Sequence, residues 1–161
     1  MKKYILLVLI MMIACNMNAQ LPSVSIKNLE GKTIDTSTLN NNGLPFIIDF
    51  WATWCKPCQR ELSAINDVYA DWQKDTGVKL YAVSIDQAQN VAKVKPKVDA
   101  LGWDFDILLD SNGDFKRAMG INLIPHLIIC DGKGKIIKSY SGYTDGSEGE
   151  IYKTLKEIIK K

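Results

Sequence analysis

Histidine is almost absent from this sequence, cysteine is sparse, and neither sign of charge prevails. His126 stands alone, and the four cysteines are Cys15, Cys55, Cys58 and Cys130. So few thiols cannot staple a small scaffold, and they are better read as chemistry. The 20 Lys and Arg residues nearly cancel the 18 Asp and Glu, for a formal net charge of +2. No field for a polyanion follows, so nucleic acid is not an expected partner. Long apolar runs are missing as well. The one from Tyr4 to Ala14 is shorter than the roughly 18 residues that a spanning helix needs. Repeats, low-complexity tracts and interdomain linkers are all lacking, which leaves one domain as the expected organisation.

The N-terminus carries an address. Met1-Lys2-Lys3, the apolar run and a polar, small-residue stretch ending Asn18-Ala19-Gln20 read as a secretory signal cleaved after Ala19. Residues 1–19 are then a signal peptide and 20–161 the mature domain, whose formal charge falls to about zero once Lys2 and Lys3 are removed. The rival is processing at Cys15. Met12-Ile13-Ala14-Cys15 resembles a bacterial lipoprotein box, with Met12 where Leu is usual, and would make Cys15 a lipid anchor. Either way the product is exported, periplasmic or membrane-anchored, and Cys15 takes no part in the chemistry.

Ser23 to Lys27 and Lys32 to Asp35 alternate around Asn28-Leu29-Glu30-Gly31, predicting an N-terminal hairpin. Pro45 to Ala52 is nearly all apolar, broken only by Asp49, as in a central strand covered on both faces. From Pro57 to Gln73, Leu62, Ile65, Val68, Tyr69 and Trp72 recur at helical steps, and Gly77 lies just past the end. Val78 to Ile85 predicts a second buried strand, and Gln87 to Leu101 a helix that Pro96 should kink or divide. A short strand at Phe105 to Leu109 and a short helix at Phe115 to Met119 follow. Leu127 to Cys130 and Lys135 to Tyr140 flank a turn at Asp131-Gly132-Lys133-Gly134, and Glu148 to Lys161 closes as a helix. The pattern predicts an α/β fold, a central mixed β-sheet with helices on both faces.

Cys55 and Cys58 enclose Lys56-Pro57 where the strand pattern gives way to the helix pattern. A helix start offers unpaired N–H groups and the positive end of a dipole, and both favour a thiolate. The expected chemistry is thiol–disulfide exchange, with Cys55 as nucleophile and Cys58, one turn deeper, as the resolving thiol. Lys56 adds positive charge nearby and Pro57 supplies a φ suited to a first turn, so both would tune the pair. A permanent structural disulfide is the blander alternative, although so small a loop constrains the unfolded chain little. Zinc would need His126 and Cys130 as further ligands, and on one strand those lie about 13 Å apart. No metal and no cofactor is expected.

The stretch Phe50-Trp51-Ala52-Thr53-Trp54-Cys55-Lys56-Pro57-Cys58, with Gly120-Ile121-Asn122-Leu123-Ile124-Pro125, resembles the thioredoxin superfamily over residues 21 to 161. The N-terminal β-hairpin extension, a strand-helix insert around Trp103 to Met119, and Glu61 three residues after Cys58 resemble its exported TlpA/ResA-like branch. Ser63 stands where that branch carries proline. The resemblance implies a thioredoxin fold in which a cis Pro125 faces the dithiol. The backbone at Ile124 would pair with an extended substrate segment, and Trp54 would frame that surface. Asp49 matches a buried acid that moves a proton for the inner cysteine, and burial would raise its pKa. Glu61 matches an active-site glutamate, and which acid serves Cys58 stays open. His126 stands where thioredoxins usually have threonine, and would either tune the Cys55 thiolate or simply pack. Cys130 reads as a small buried hydrophobe.

The function so implied is an exported thiol-disulfide oxidoreductase that reduces disulfides of exported proteins and is re-reduced by a membrane electron donor. Apocytochrome thiols, as in cytochrome c maturation, are one substrate class. A dithiol oxidase or isomerase on the same fold, or a copper-binding chaperone module, are the alternatives. Peroxiredoxins carry Thr-x-x-Cys, whereas Thr53 is only two residues before Cys55.

Overall fold

The computed structural model describes residues 20–160. The expected signal segment, with Cys15, lies outside the described residues. The chain forms one seven-stranded mixed sheet in the order β2-β1-β5-β4-β3-β6-β7. β1 (Ser25–Asn28) and β2 (Thr33–Asp35) make the expected antiparallel hairpin at one edge. β3 (Phe46–Trp51) runs parallel to β4 (Lys79–Ser84) and antiparallel to β6 (His126–Cys130), while β7 (Ile136–Ser141) forms the other edge. β5 (Asp106–Leu109) lies between β4 and β1, so the insert extends the main sheet and joins it to the hairpin. Among the described residues, no helix is long and apolar enough to cross a membrane.

Period-two alternation divides the core. Ile47 and Trp51 of β3 and Leu127 and Ile129 of β6 face α1 (Lys56–Thr76), α2 (Val94–Leu101) and α4 (Glu148–Ile159). Phe46, Ile48, Phe50, Ile128 and Cys130 face the other way, onto Phe115 of α3 (Asp114–Ala118) and the N-terminal Leu21 and Leu39. Helices and loops therefore cover both faces, and all six residues of β3 are buried. Each such large side chain contributes about 1.5–3 kcal/mol by leaving water. The Tyr69 hydroxyl accepts from the Leu80 N–H at 2.9 Å, which fastens α1 to β4. Gly77, left-handed at φ 66°, ends α1 where the sequence placed its end.

One element differs from expectation. Gln87 to Asn90 is a turn, Val91–Lys93 a single 3₁₀ turn, and the helix begins only at Val94. Pro96 therefore sits in a first turn and kinks nothing, because its missing N–H would have had no partner there. Ser63, in place of the branch proline, accepts the Trp103 indole N–H at 3.1 Å, a bond no proline can make.

Candidate active site

β3 ends in a short loop that delivers Cys55 to the start of α1, where it is the N-cap. The Cys58 N–H points at the Cys55 sulfur, 3.3 Å away, which places that sulfur at the positive end of the helix. Cys55 and Cys58 are joined as a disulfide with Cα atoms 5.3 Å apart. Cys55 is 6% exposed and Cys58 is wholly buried, so Cys55 alone of the pair has any surface open to solvent. Pro57 occupies the second helical position, and the Lys56 side chain is exposed.

Asp49 shares the sheet face of Ile47 and Trp51 and therefore points toward α1. Glu61 lies one turn after Cys58 on that helix. Both acids are buried, Glu61 to 2% exposure, and both Asp49 oxygens and the Glu61 Oε2 find no donor. Two ionised carboxylates cannot donate to each other. With one proton between them Asp49 donates to Glu61, which relieves the deficit at two of these three oxygens. Burial pushes Asp49 well above the usual carboxylate range, and the charge of Glu61 and the hydrogen bond to it add to the rise. Burial raises Glu61 to about 7, against the lowering effect of the bond from Asp49.

The β3–β6 pairing sets Phe50 opposite His126, so Trp51 to Thr53 and Pro125 to Leu123 continue side by side off the same end of the sheet. The Ile124–Pro125 peptide bond is cis, Pro125 is buried, and its carbonyl accepts from the Gly142 N–H at 2.9 Å. Ile124 is half-buried against the core that contains both cysteines. Trp54 is 63% exposed and Leu123 is 73% exposed, two large apolar side chains left to solvent at this end. An open cleft of about 680 Å³ runs from Trp54 past Ile85 and Gln87 to Asn112 and Lys116.

His126 and Cys130 lie elsewhere. His126 shares the face of Ile128 and Cys130, away from α1, and its Nδ1 is 2.7 Å from the Ser141 hydroxyl. Burial lowers its pKa, which favours the neutral ring. Cys130 is buried, and its thiol is pushed up to about 12 by burial and then by the Asp131 charge. Among the described residues no three His, Cys, Asp or Glu side chains gather as a metal site.

The sequence reading assigned nothing to Thr53, Asp86 or Leu123. Trp51 pairs with Ser84 in the parallel β3–β4 register, so two residues further on Thr53 meets Asp86. The Asp86 carboxylate accepts the Thr53 N–H at 2.8 Å and the Thr53 hydroxyl at 2.6 Å. An acid directly after a buried strand was the available signal. What it lacked was the register.

A family model described as AhpC/TSA matches residues 17–139. The thiol-disulfide oxidoreductase ResA of Bacillus thuringiensis subsp. konkukian is 30% identical over 137 residues, 85% of this chain and 75% of that relative. Among solved structures, a thioredoxin-like protein from Porphyromonas gingivalis is 59% identical, with a TM-score of 0.80 over 90% of this chain and 95% of that one. StoA from Bacillus subtilis is 29% identical, with a TM-score of 0.63 over 84% of this chain and 98% of that one. With a buried and an accessible sulfur at a helix start on a sheet of this order, the chain belongs to the AhpC/TSA family, as a thioredoxin-fold thiol-disulfide oxidoreductase similar to ResA.

Proposed function

We propose that this oxidoreductase works outside the cytoplasm as a reductase of protein disulfides, with residues 1–19 as its export signal. The observation that carries the reading is the asymmetry of the dithiol: Cys55 keeps some exposed surface at a helix start, while Cys58 is wholly buried on the side of the sheet that also holds the buried acids Asp49 and Glu61. The Cys55 thiolate attacks one sulfur of a substrate disulfide, forms the mixed disulfide and expels the other substrate sulfur as a thiolate. Cys58 passes its proton to the Glu61 carboxylate, which Asp49 holds in place by donating a hydrogen bond. The Cys58 thiolate then attacks Cys55. The second substrate sulfur leaves, the Cys55–Cys58 bond closes, and two electrons have passed to the substrate. A membrane electron donor returns them. Lipidation of Cys15 would hold the domain beside such a donor.

A redox titration against glutathione tests the direction. The expected potential lies near the thioredoxin end, about −270 mV, and a value near the DsbA end, about −120 mV, would make the protein an oxidase.

Docking rests on exposed apolar side chains beside Cys55. Trp54 supplies one wall and Leu123, with the backbone at Ile124, the other. Leu123→Asp is expected to raise KM for a protein disulfide about five- to tenfold, the size of a modest interface anchor, with kcat and the redox potential unchanged. An unchanged KM would remove Leu123 from the docking surface.

A further inference from the structure

Asp86 is 1% exposed, at the end of β4, and its two oxygens are fully used. One accepts the Thr53 N–H at 2.8 Å and the Ser84 hydroxyl at 2.9 Å, and the other accepts the Thr53 hydroxyl at 2.6 Å. The Ser84 hydroxyl oxygen in turn accepts the Asp86 N–H at 3.1 Å. The Thr53 carbonyl is taken by the Gln59 side-chain amide of α1 at 2.7 Å. Thr53 is thus held at its N–H, hydroxyl and carbonyl, between the end of β4 and the first turn of α1. Three donors converging on one buried carboxylate is a match for its charged, acceptor-only form.

Thr53 stands two residues before Cys55, so their Cα atoms lie within about 7 Å. The anionic group is therefore bonded to the loop that carries Cys55, and its own burial leaves its charge poorly screened by water. A negative charge there disfavours the Cys55 thiolate but leaves the uncharged disulfide untouched. It opposes the helix N-terminus, which favours the thiolate. Destabilising the reduced form lowers a reduction potential, the reverse of the effect that makes DsbA an oxidant.

We propose that Asp86 is a positioning and redox-tuning residue: through Thr53 it fixes the loop that presents Trp54 and Cys55, and its buried carboxylate keeps the dithiol strongly reducing. The inference rests on the reading of Cys55 as the attacking thiol.

Asp86→Asn separates charge from shape. The amide oxygen still accepts the Thr53 N–H and the amide nitrogen donates to the Thr53 hydroxyl, which can turn to accept. The equilibrium of the full protein with glutathione is expected to shift about tenfold toward the dithiol, a rise of about 30 mV in potential. The Cys55 thiol, followed by thiolate absorbance, should titrate at lower pH. Thr53→Val removes one hydrogen bond but keeps the charge. It should leave the potential in place and raise KM for a protein disulfide severalfold. If Asp86→Asn does not fold, Asp86→Ser supplies the same charge deletion. An unchanged potential and Cys55 titration in a folded charge-deleted variant would overturn the proposal, and so would an equal shift in Thr53→Val. Cys55→Ser keeps the two readings apart: residual turnover in that variant defeats the assignment of Cys55, whereas its inactivity beside an unmoved potential in Asp86→Asn defeats only this inference.

Discussion

Replacing Cys58 with serine is expected to turn catalysis into capture. Cys55 keeps its place as N-cap and its access to solvent, so attack on a substrate disulfide survives. The resolving sulfur is gone, and a buried hydroxyl does not replace a thiolate at neutral pH. Multiple turnover should fall to the uncatalysed background, while one equivalent of substrate accumulates as a mixed disulfide on Cys55. Cys55→Ser should also fall to background, with no adduct, because Cys58 has no exposed surface from which to attack. Non-reducing electrophoresis followed by mass spectrometry of the adduct reads both outcomes. Adducts carried by Cys58 in the Cys55→Ser protein would reverse the order of the two sulfurs. Expressed in cells, the Cys58→Ser protein also names its partners. Exported proteins among them would support the location proposed from residues 1–19, and a set made only of cytoplasmic proteins would oppose it.

The acid pair should make this protein less stable as pH rises, opposite to the usual effect of native carboxylates. Glu61 ordinarily titrates at 4.5 and is raised to about 7 in the fold. Between those values the folded chain holds a proton that the unfolded chain has lost, so stability declines across the interval. Above pH 7 the whole effect is present, on the order of 3 kcal/mol. Asp49, raised well above its ordinary value mainly by burial, acts with the same sign. Glu61→Gln should therefore be more stable than the native protein above pH 7 and nearly equal to it at pH 4. The Asp49→Asn, Glu61→Gln pair should flatten the profile, with a gain that differs from the sum of the two single changes because the acids touch. Urea denaturation at several pH values measures this, and an undiminished slope in the double variant would remove the pair as its source.

The same substitutions divide the labour between the acids. With Glu61 as proton acceptor, closure of the Cys55–Cys58 bond should quicken as pH rises through about 7, as the carboxylate forms. Glu61→Gln should slow closure about 10²-fold and abolish that limb. Asp49→Asn retains a donor for Glu61 and should keep it. Asp49→Leu removes the donor, and the limb should move upward.

Much of the fold was legible in local pattern. The near-continuous apolar stretch around Asp49 announced a strand buried on both faces, and the helical spacing of Leu62, Ile65, Tyr69 and Trp72 announced α1, because burial on one side imposes the period of the element itself. The redox pair was equally plain, since strand, Trp-Cys, proline and helix occur within a few residues. Pro96 misled because a proline fits a first turn as readily as it breaks an interior, and the residues alone do not say where a helix begins. The sequence also set Glu61 on the same helical face as Cys58, but it left open which acid serves that sulfur. The fold buries Asp49 and Glu61 on the same side of the sheet, and that burial supports the division of tasks proposed above, with Glu61 as proton acceptor and Asp49 as its donor. Asp86 and Thr53 are 33 positions apart and meet only through the parallel register of β3 and β4. Local spacing determined the dithiol and the elements that carry it. The charges and protons around it were decided by strand register and burial, which depend on partners distant in the chain.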